Sequence, residues 1–303
     1  MSQAVTATRP FEIFTAEVVR TTRITPHMIR ITFSGASLDQ FADPGFDQRI
    51  KLFLPPIVGS LDDVPRGADW YSQWRAMPEE RRAPMRTYTT RFVRPAEHEV
   101  DIDLVDHGDL GPASAFARRA QPGDQVLLLG PHAAHPGPHG GLEFPVDLAS
   151  KTDLLIAGDD TAIPAVSAIL EQLPAQARGL AVIEVEHAAS IQSVQAPASV
   201  RVEWVVRNGA RGAAQTPIVR TWLENHPIVG SSEGDSTVYF DGEDDIYWEV
   251  SSERGEEVPP LAAWIAGESS VVKALRRLLV RDFAVPRTAV AFMGYWREGM
   301  SEA

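Results

Sequence analysis

The chain has 303 residues, enough for two domains, and at 44% apolar, 23% charged and 8% aromatic its composition is that of an ordinary globular protein. It has no cysteine, which excludes disulfides, thiolate nucleophiles and cysteine-ligated zinc or iron–sulfur centres, so any redox chemistry needs a bound cofactor. A formal net charge of −13 argues against nucleic acid, no apolar run approaches the roughly 18 residues of a membrane span, and "MSQAVTATRPFEIF" has no apolar signal core, so the expectation is a cytoplasmic protein.

From the N-terminus, six short runs rich in β-branched and aromatic residues follow one another: "FEIFTAEVVRTTRI", "HMIRITFSG", "RIKLFLP", "RTYTTRFV", "EVDIDLV" and "QVLLLG". In "VDIDLV" the alternation puts Val100, Ile102 and Leu104 on one face and Asp101 and Asp103 on the other. Turn residues separate the runs, and six such strands predict an antiparallel barrel over residues 1–135. One helix interrupts them at 111–120, with Pro112 in its first turn. A Pro- and Gly-rich seam, "GPHAAHPGPHGGLEFPVDLASK", follows.

From about residue 150 the texture changes. "TDLLIAG", "LAVIEVE", "VRVEWVV", "LAAWIAG" and "AVAFMG" read as buried strands. Helical spacing in "TAIPAVSAILEQL" and the helix "SSVVKALRRLLVRDF" alternate with them, which predicts a parallel α/β sheet over 150–303. Residues 230–258 form an acidic Gly- and Ser-rich insertion; its aromatic residues suggest a solvated excursion with a short hairpin.

Three stretches carry candidate chemistry. In "RTYTTR" a strand puts Arg86, Tyr88 and Thr90 on one side and Thr87, Thr89 and Arg91 on the other. An arginine for phosphate, a flat aromatic ring and small polar groups suit a flavin; a threonine-rich strand with solvated arginines fits the same letters. In "HGDLGPAS" Gly111 permits close backbone approach, and the helix start beyond it offers amides and Ser114 to a phosphate. A plain Gly-Pro helix start fits equally. In "LLIAGDDTAIPA" a strand, Gly158 and a helix form the unit that receives a diphosphate, but the second and third glycines of the dinucleotide fingerprint are absent, and an ordinary tight connection is the alternative. "WIAGESS" repeats the strand–Ala-Gly–acid–helix order later in the chain.

In their order and spacing, "RTYT", "VDHGDLGPAS", "PGDQVLLLGP", "LLIAGDDTAIPA", "WIAGESSVVKALRRLL" and "AFMGYWREG" resemble the siderophore-interacting proteins, ferredoxin-reductase-like flavoproteins that reduce ferric siderophores. The resemblance runs from about residue 10 to 300 and implies an FAD-binding barrel followed by an NAD(P)H-binding domain. It implies that Arg86, Tyr88 and Thr89 meet the flavin phosphate, ring and edge, with Thr87 on the same cofactor strand and Tyr88 and Thr89 as catalytic candidates. It implies that Asp103, Val105 and His107 line the flavin largely through backbone, and that Ala113 and Ser114 take the diphosphate. Gly158, Asp159 and Thr161 would face the nicotinamide nucleotide, with Glu268, Tyr295 and Trp296 closing the site. Lys51 matches a lysine that contacts the ferric siderophore, or is a strand lysine facing solvent. Arg49 stands where the family commonly has histidine, and Thr90 where it has an aliphatic residue.

Residues 75–94 hold six Arg and two Glu, a net of +4, so Arg81 and Arg82 are candidates for attracting an anionic siderophore. The three histidines of 132–141 suggest a loose loop rather than a metal tract. Glu186 suits a ribose 2′-hydroxyl and hence NADH, whereas Arg207 suits a 2′-phosphate and hence NADPH. The expected function is NAD(P)H-dependent reduction of ferric siderophores through FAD. Reduction of another acceptor, carriage of a siderophore by a flavin-retaining but non-catalytic protein, and a flavin-free binding module are the alternatives.

Overall fold

The computed structural model describes residues 8–106, 111–226, 237–240 (backbone only), 247–250 and 258–299. The chain divides into two compact units, one reaching to Leu142 and one starting at Glu143.

In the first unit β1 (Phe11–Thr25), β2 (Met28–Ser34), β3 (Arg49–Phe53), β4 (Met85–Arg94), β5 (Glu99–Val105) and β6 (Gln125–Pro131) close into the expected six-stranded antiparallel barrel, in the order β1-β2-β5-β4-β3-β6. Closure pairs every strand on both sides and leaves no open edge. Val100, Ile102 and Leu104 are fully buried in its core with Ile31, Phe33, Leu52 and Leu128. The long β3–β4 connection contains a helix that the sequence did not announce, α1 (Trp70–Arg75). Its Trp74 joins Phe53, Leu61, Val64 and Leu127 in a second apolar layer, and the Trp74 indole donates to the Ala83 carbonyl at 3.0 Å. After β5 comes α2 (Pro112–Arg119), whose Ala113 and Ala117 pack into the barrel core.

The other face of β5 departs from the simple polar-out pattern. Asp101 and Asp103 are buried, because arginines of the neighbouring strands cover them. Arg94 reaches Asp101 at 2.7 and 2.9 Å and Glu99 at 2.9 and 3.1 Å, and Arg20 reaches Glu99 at 2.7 and 2.9 Å. Thr32 donates to Asp101 at 2.6 Å, and Arg30 grips Asp103 at 2.7 and 2.8 Å. Arg30 and Arg91 both lie against the Phe92 ring, 4.9 and 4.2 Å from its centroid. Four strands are thus riveted by charge-assisted bonds on the outside of the barrel.

In the second unit β7 (Asp153–Asp159), β8 (Arg178–Val185), β9 (Val200–Val206), β10 (Thr237–Phe240), β11 (Tyr247–Val250), β12 (Leu261–Glu268) and β13 (Val290–Trp296) form one sheet of order β10-β11-β13-β12-β7-β8-β9. The five strands from β13 to β9 are parallel, as expected. The sheet as a whole is mixed, because β10 and β11, a hairpin within the acidic insertion, pair antiparallel onto β13. Helices α3 (Ile163–Gln172), α4 (Gln215–Glu224) and α5 (Ser269–Arg276) connect the parallel strands; α4 was not foreseen. The expected helix over 269–283 is α-helical only to Arg276 and continues as a π-helical segment, Arg277–Asp282. Strand order reverses between β7 and β12, the place where open α/β sheets receive ligands. No helix among the described residues is long and apolar enough to cross a membrane.

The arginine ladder makes the first unit acid-sensitive. Hydrogen bonds from Arg20, offset in part by burial and reinforced by Arg94, lower the Glu99 pKa from 4.5 to about 2. Burial raises that of Asp101, but Arg94 and Thr32 outweigh it and the net shift is downward. Depressed carboxylates stabilise the fold fully above their unfolded pKa and lose that stabilisation as pH falls toward the folded value. The melting temperature should therefore fall between about pH 4.5 and 2 through this ladder. Arg94→Ala should lower stability at pH 7 by about 2–3 kcal/mol and flatten that acid dependence, measured by thermal melts across pH.

Candidate functional site

The barrel's candidate site is built on β4 and α2. Pairing with β3 sets Arg86 opposite Leu52, Thr87 opposite Lys51 and Tyr88 opposite Ile50. Arg86 is buried and donates to the Met85 carbonyl at 3.0 Å, while half-buried Tyr88 packs against the core cluster that also contains Ala113 and Ala117 of α2. Thr87 is exposed and accepts from the Lys51 ammonium at 2.8 Å, so the candidate siderophore lysine and the cofactor strand are directly joined. Thr89 is buried. Thr90 is buried too, and its amide donates to the Gln48 carbonyl at 3.1 Å, so this departure from the family pattern serves the barrel wall. Arg91 lies 3.8 Å from Asp103 and belongs to the outer ladder.

The start of α2 is suited to a phosphate. Gly111 is its N-cap, at φ 89°, and has no side chain to cap the helix; Pro112 has no amide hydrogen. The first turn therefore presents the amides of Ala113 and Ser114 with the positive end of the helix dipole. The Ser114 hydroxyl donates to the Val105 carbonyl at 3.3 Å, which ties the helix start to the end of β5. The side chain of Asp103 is held by Arg30, leaving its backbone as the part available to a cofactor. His107 lies outside the described residues.

The basic run does not form one patch. Arg94 and Arg91 join the acids of β5, and Arg86 is buried. Arg81 pairs with Asp63 at 3.1 Å, and Arg82 lies over the Trp74 ring at 5.3 Å. The histidines of 132–141 make backbone contacts: His139 with the His132 carbonyl at 3.0 Å, His135 with the Thr8 carbonyl at 2.8 Å, and His132 with the Ala134 amide at 3.1 Å. Among the described residues no group of three metal-ligating side chains comes together.

The second unit gathers its candidates at the C-terminal edge of the parallel strands. Asp159 ends β7 and accepts from the Thr161 amide at 2.9 Å, the Thr161 hydroxyl at 2.5 Å, the Glu268 amide at 2.8 Å and the Trp296 indole at 2.9 Å. Three sequence-predicted residues thus converge on the carboxylate of a fourth. A register shift after Gly267 sets Glu268 opposite Trp296. Gly267 sits at φ 141°, and a Cβ there would come within 2.7 Å of the Asp159 carboxylate. Tyr295 packs instead between aromatics, stacked on Trp248 at 6.1 Å and edge-on to Trp264 at 6.3 Å.

Every helix start at this edge carries a carboxylate of the chain itself. Glu268 accepts from the Ser270 and Val271 amides at 2.7 and 3.1 Å and caps α5. Burial raises the Glu268 pKa, but the Ser270 hydroxyl and the amides of Glu298, Val271 and Ser270 outweigh it, so the net shift is downward. Asp159 caps the turn that leads into α3. Glu184, which the sequence reading passed over, accepts from the amides of Gly212, Ala214 and Gln215 at 2.7, 3.0 and 3.1 Å, just before α4. Arg211 was missed as well. It lies over the Trp296 ring at 4.6 Å and beside Glu298 at 3.5 Å, and its buried Nε has no hydrogen-bond partner among the described residues. Together with Glu186 and Arg207 these residues line one crevice. Glu184 and Glu186 share a strand face by alternation, and Arg211 lies in "RNGARG", the Gly-containing loop after β9; those are the signals in the sequence that point to them.

Comparison with known proteins names the family. The model described as the siderophore-interacting FAD-binding domain matches residues 17–135, and the siderophore-interacting protein model matches residues 151–299. The ferric vibriobactin reductase ViuB of Vibrio cholerae is 28% identical over 286 residues, covering 94% of this chain and 90% of that one. The NADPH-dependent ferric-chelate reductase of Escherichia coli is 35% identical over 161 residues, 52% of this chain and 55% of its own length. The crystal structure of the siderophore-interacting protein SipS from Aeromonas hydrophila superposes with a TM-score of 0.66 at 28% identity, covering 95% of this chain and 93% of that chain. The chain belongs to the siderophore-interacting protein family, has its FAD-binding domain, and has a ferredoxin-reductase-like fold. The uncapped start of α2 and the buried Arg86 beside Tyr88 fit that cofactor.

Replacing Gly267 by alanine sets a side chain against Asp159 and forces a left-handed backbone on a residue with a Cβ. The variant should lose about 1–3 kcal/mol in denaturant unfolding of the second unit. A wild-type midpoint would show that the Asp159 cluster yields freely.

Proposed function

We propose that the protein carries electrons from a reduced nicotinamide nucleotide through FAD to a ferric siderophore, and that iron leaves as Fe(II). The electrons balance as one hydride to two ferric ions: NAD(P)H and two Fe(III) give NAD(P)⁺, one proton and two Fe(II). FAD supplies the conversion of a two-electron donor into one-electron steps. The ferrous ion is less highly charged and is held far less tightly by hard oxygen ligands, so reduction releases it.

In this reading the chain's own residues bind and orient. Arg86 neutralises a flavin phosphate, and the amides of Ala113 and Ser114 hold the diphosphate at the start of α2. Tyr88 offers its ring to the isoalloxazine and Thr89 a hydroxyl to its edge, while Asp103 and Val105 line the cofactor through backbone. Lys51, already bonded to Thr87, supplies the cation for an anionic siderophore. Arg81 and Arg82 serve that role only by leaving Asp63 and Trp74. Gly158, Asp159, Thr161, Glu268 and Trp296 form the nicotinamide nucleotide's side of the second unit. A cytoplasmic location follows from the donor, because reduced nicotinamide coenzymes are held there.

The observation that carries the reading is the α2 start at Gly111, whose first-turn amides have no side-chain acceptor among the described residues and whose Ala113 shares the barrel core with Tyr88. The vibriobactin reductase and the NADPH-dependent relative support the acceptor and donor classes. One observation favours a second reading, a carrier that retains FAD without turning over: the helix starts of the second unit are already capped by carboxylates.

Absorbance spectra decide between them. The purified protein should be yellow, should bleach on anaerobic addition of NADH or NADPH, and should regain its colour when a ferric siderophore is added. A flavin that stays oxidised supports the carrier, and a flavin that bleaches but is reoxidised only by a quinone points to another acceptor. Changing Arg86 and Tyr88 together to alanine should weaken FAD retention at least about tenfold, read as flavin absorbance per mole of protein. A double variant that purifies with full flavin would overturn the cradle.

A further inference from the structure

The crevice at the C-terminal edge of the second unit holds both residues from which a coenzyme preference is read, and they are bound to each other. Glu186 follows β8 and Arg207 follows β9, and Nη2 of Arg207 pairs with Oε1 of Glu186. Their backbones are fixed as well: the Glu186 amide donates to Asp160 at 2.8 Å and the Arg207 amide to the Val185 carbonyl at 2.8 Å. The Glu186 side chain is 42% exposed and that of Arg207 only 17%, so the carboxylate stays open to a ligand while the guanidinium is largely covered.

We infer that this crevice takes NADH in preference to NADPH, with Glu186 as the specificity-determining residue and Arg207, the group a 2′-phosphate would need, occupied by its pair with Glu186. The inference rests on the nicotinamide reading proposed above and goes against the NADPH dependence of the Escherichia coli relative. The two coenzymes differ only at the adenosine 2′ position, a neutral hydroxyl in one and a phosphate bearing nearly two negative charges in the other. Their diphosphates are the same and cancel in the comparison. A 2′-hydroxyl donates to the carboxylate of Glu186, as acidic residues at this strand end do in dinucleotide folds. A 2′-phosphate needs Arg207, and Arg207 is reached only by breaking its pair and leaving Glu186 as an unpaired like charge beside the phosphate.

The rest of the lining adds to the bias. Five carboxylates face the crevice against the two guanidiniums of Arg207 and Arg211, a formal −3 before any ligand arrives. Arg211 is placed over Trp296 and beside Glu298, and Glu184, fixed in the amides before α4, adds a further negative charge, so neither offsets a 2′-phosphate. The extra charge of NADPH therefore meets net repulsion that NADH does not.

Two readouts on the full chain test this, one of them independent of turnover. Calorimetric titration with ADP-ribose and with 2′-phospho-ADP-ribose should show the unphosphorylated ligand binding at least about tenfold more tightly. The kcat/KM for flavin reduction should favour NADH over NADPH by a similar factor. Glu186→Ala should shift both ratios toward the 2′-phosphorylated ligand by about tenfold or more by releasing Arg207, and Glu186→Gln should fall between the two. Arg207→Ala should keep the preference for the unphosphorylated ligand. Equal binding of the two analogues, tighter binding of the phosphorylated one, or ratios unmoved in Glu186→Ala overturn the inference while leaving the donor class intact. If neither analogue binds and neither coenzyme reduces the flavin, the nicotinamide reading fails and this inference fails with it.

Discussion

The carboxylate of Asp159 holds the working edge of the second unit together. Its two oxygens accept four hydrogen bonds that join the end of β7 to the end of β12, to the turn before α3 and to the indole of Trp296. Much else depends on that arrangement. Gly267 must lack a side chain because the carboxylate occupies the space a Cβ would take. The register shift at Gly267 is what sets Trp296 across from Glu268, within reach of Asp159 on one side and of Arg211 on the other. Even a partly buried carboxylate is costly unless its lone pairs are satisfied, and four hydrogen bonds satisfy this one. Glycine, acid and indole are therefore one device, although Asp159 and Trp296 stand 137 positions apart in sequence.

The helix starts of the two units are built in opposite ways. In the barrel, α2 begins with a glycine cap and a proline, neither of which fills the place of an anion. In the α/β unit the turn before α3 and the starts of α4 and α5 each receive a carboxylate of the chain itself, from Asp159, Glu184 and Glu268. A helix N-terminus left without an acceptor is an anion site, and one that is already capped is closed to phosphate unless the cap moves. In the proposed reading this asymmetry separates a unit that holds a charged cofactor from one that would meet a nucleotide through hydroxyl, ring and arginine contacts.

The sequence was most readable where periodicity and motif coincided. All six barrel strands followed from β-branched and aromatic runs set apart by turn residues, and all five parallel strands from short buried apolar runs. Thr161, Glu268 and Trp296 were legible through their motifs, but their convergence on Asp159 was not, since it depends on strand order and on one register shift. Alternation set Asp101 and Asp103 on one face of their strand, but that Arg94 and Arg30 cover that face follows only from the strand pairing. The +4 charge of residues 75–94 suggested a patch, whereas strand alternation and pairing send its arginines to different partners. Helix α1 was hidden because its apolar residues serve a small outer layer and its six residues span too few turns to show a period.

In the reading proposed above, the contrast between the helix starts bears on how a resident flavin and a visiting nicotinamide coenzyme would be handled in one cycle. A flavin that stays bound gains from donors that have no other acceptor, since each bond to its phosphates replaces only water. A nicotinamide coenzyme must arrive and leave at every turnover. In a crevice whose helix starts are already satisfied by Asp159, Glu184 and Glu268, its diphosphate would have to displace existing bonds, and the net gain on binding would be small. Weak binding of this kind costs little in rate when the donor is abundant, because binding the ground state more tightly does not speed the chemical step. The degraded glycine fingerprint is then consistent with turnover: a site that grips its donor loosely has no need of the close backbone approach that those glycines provide.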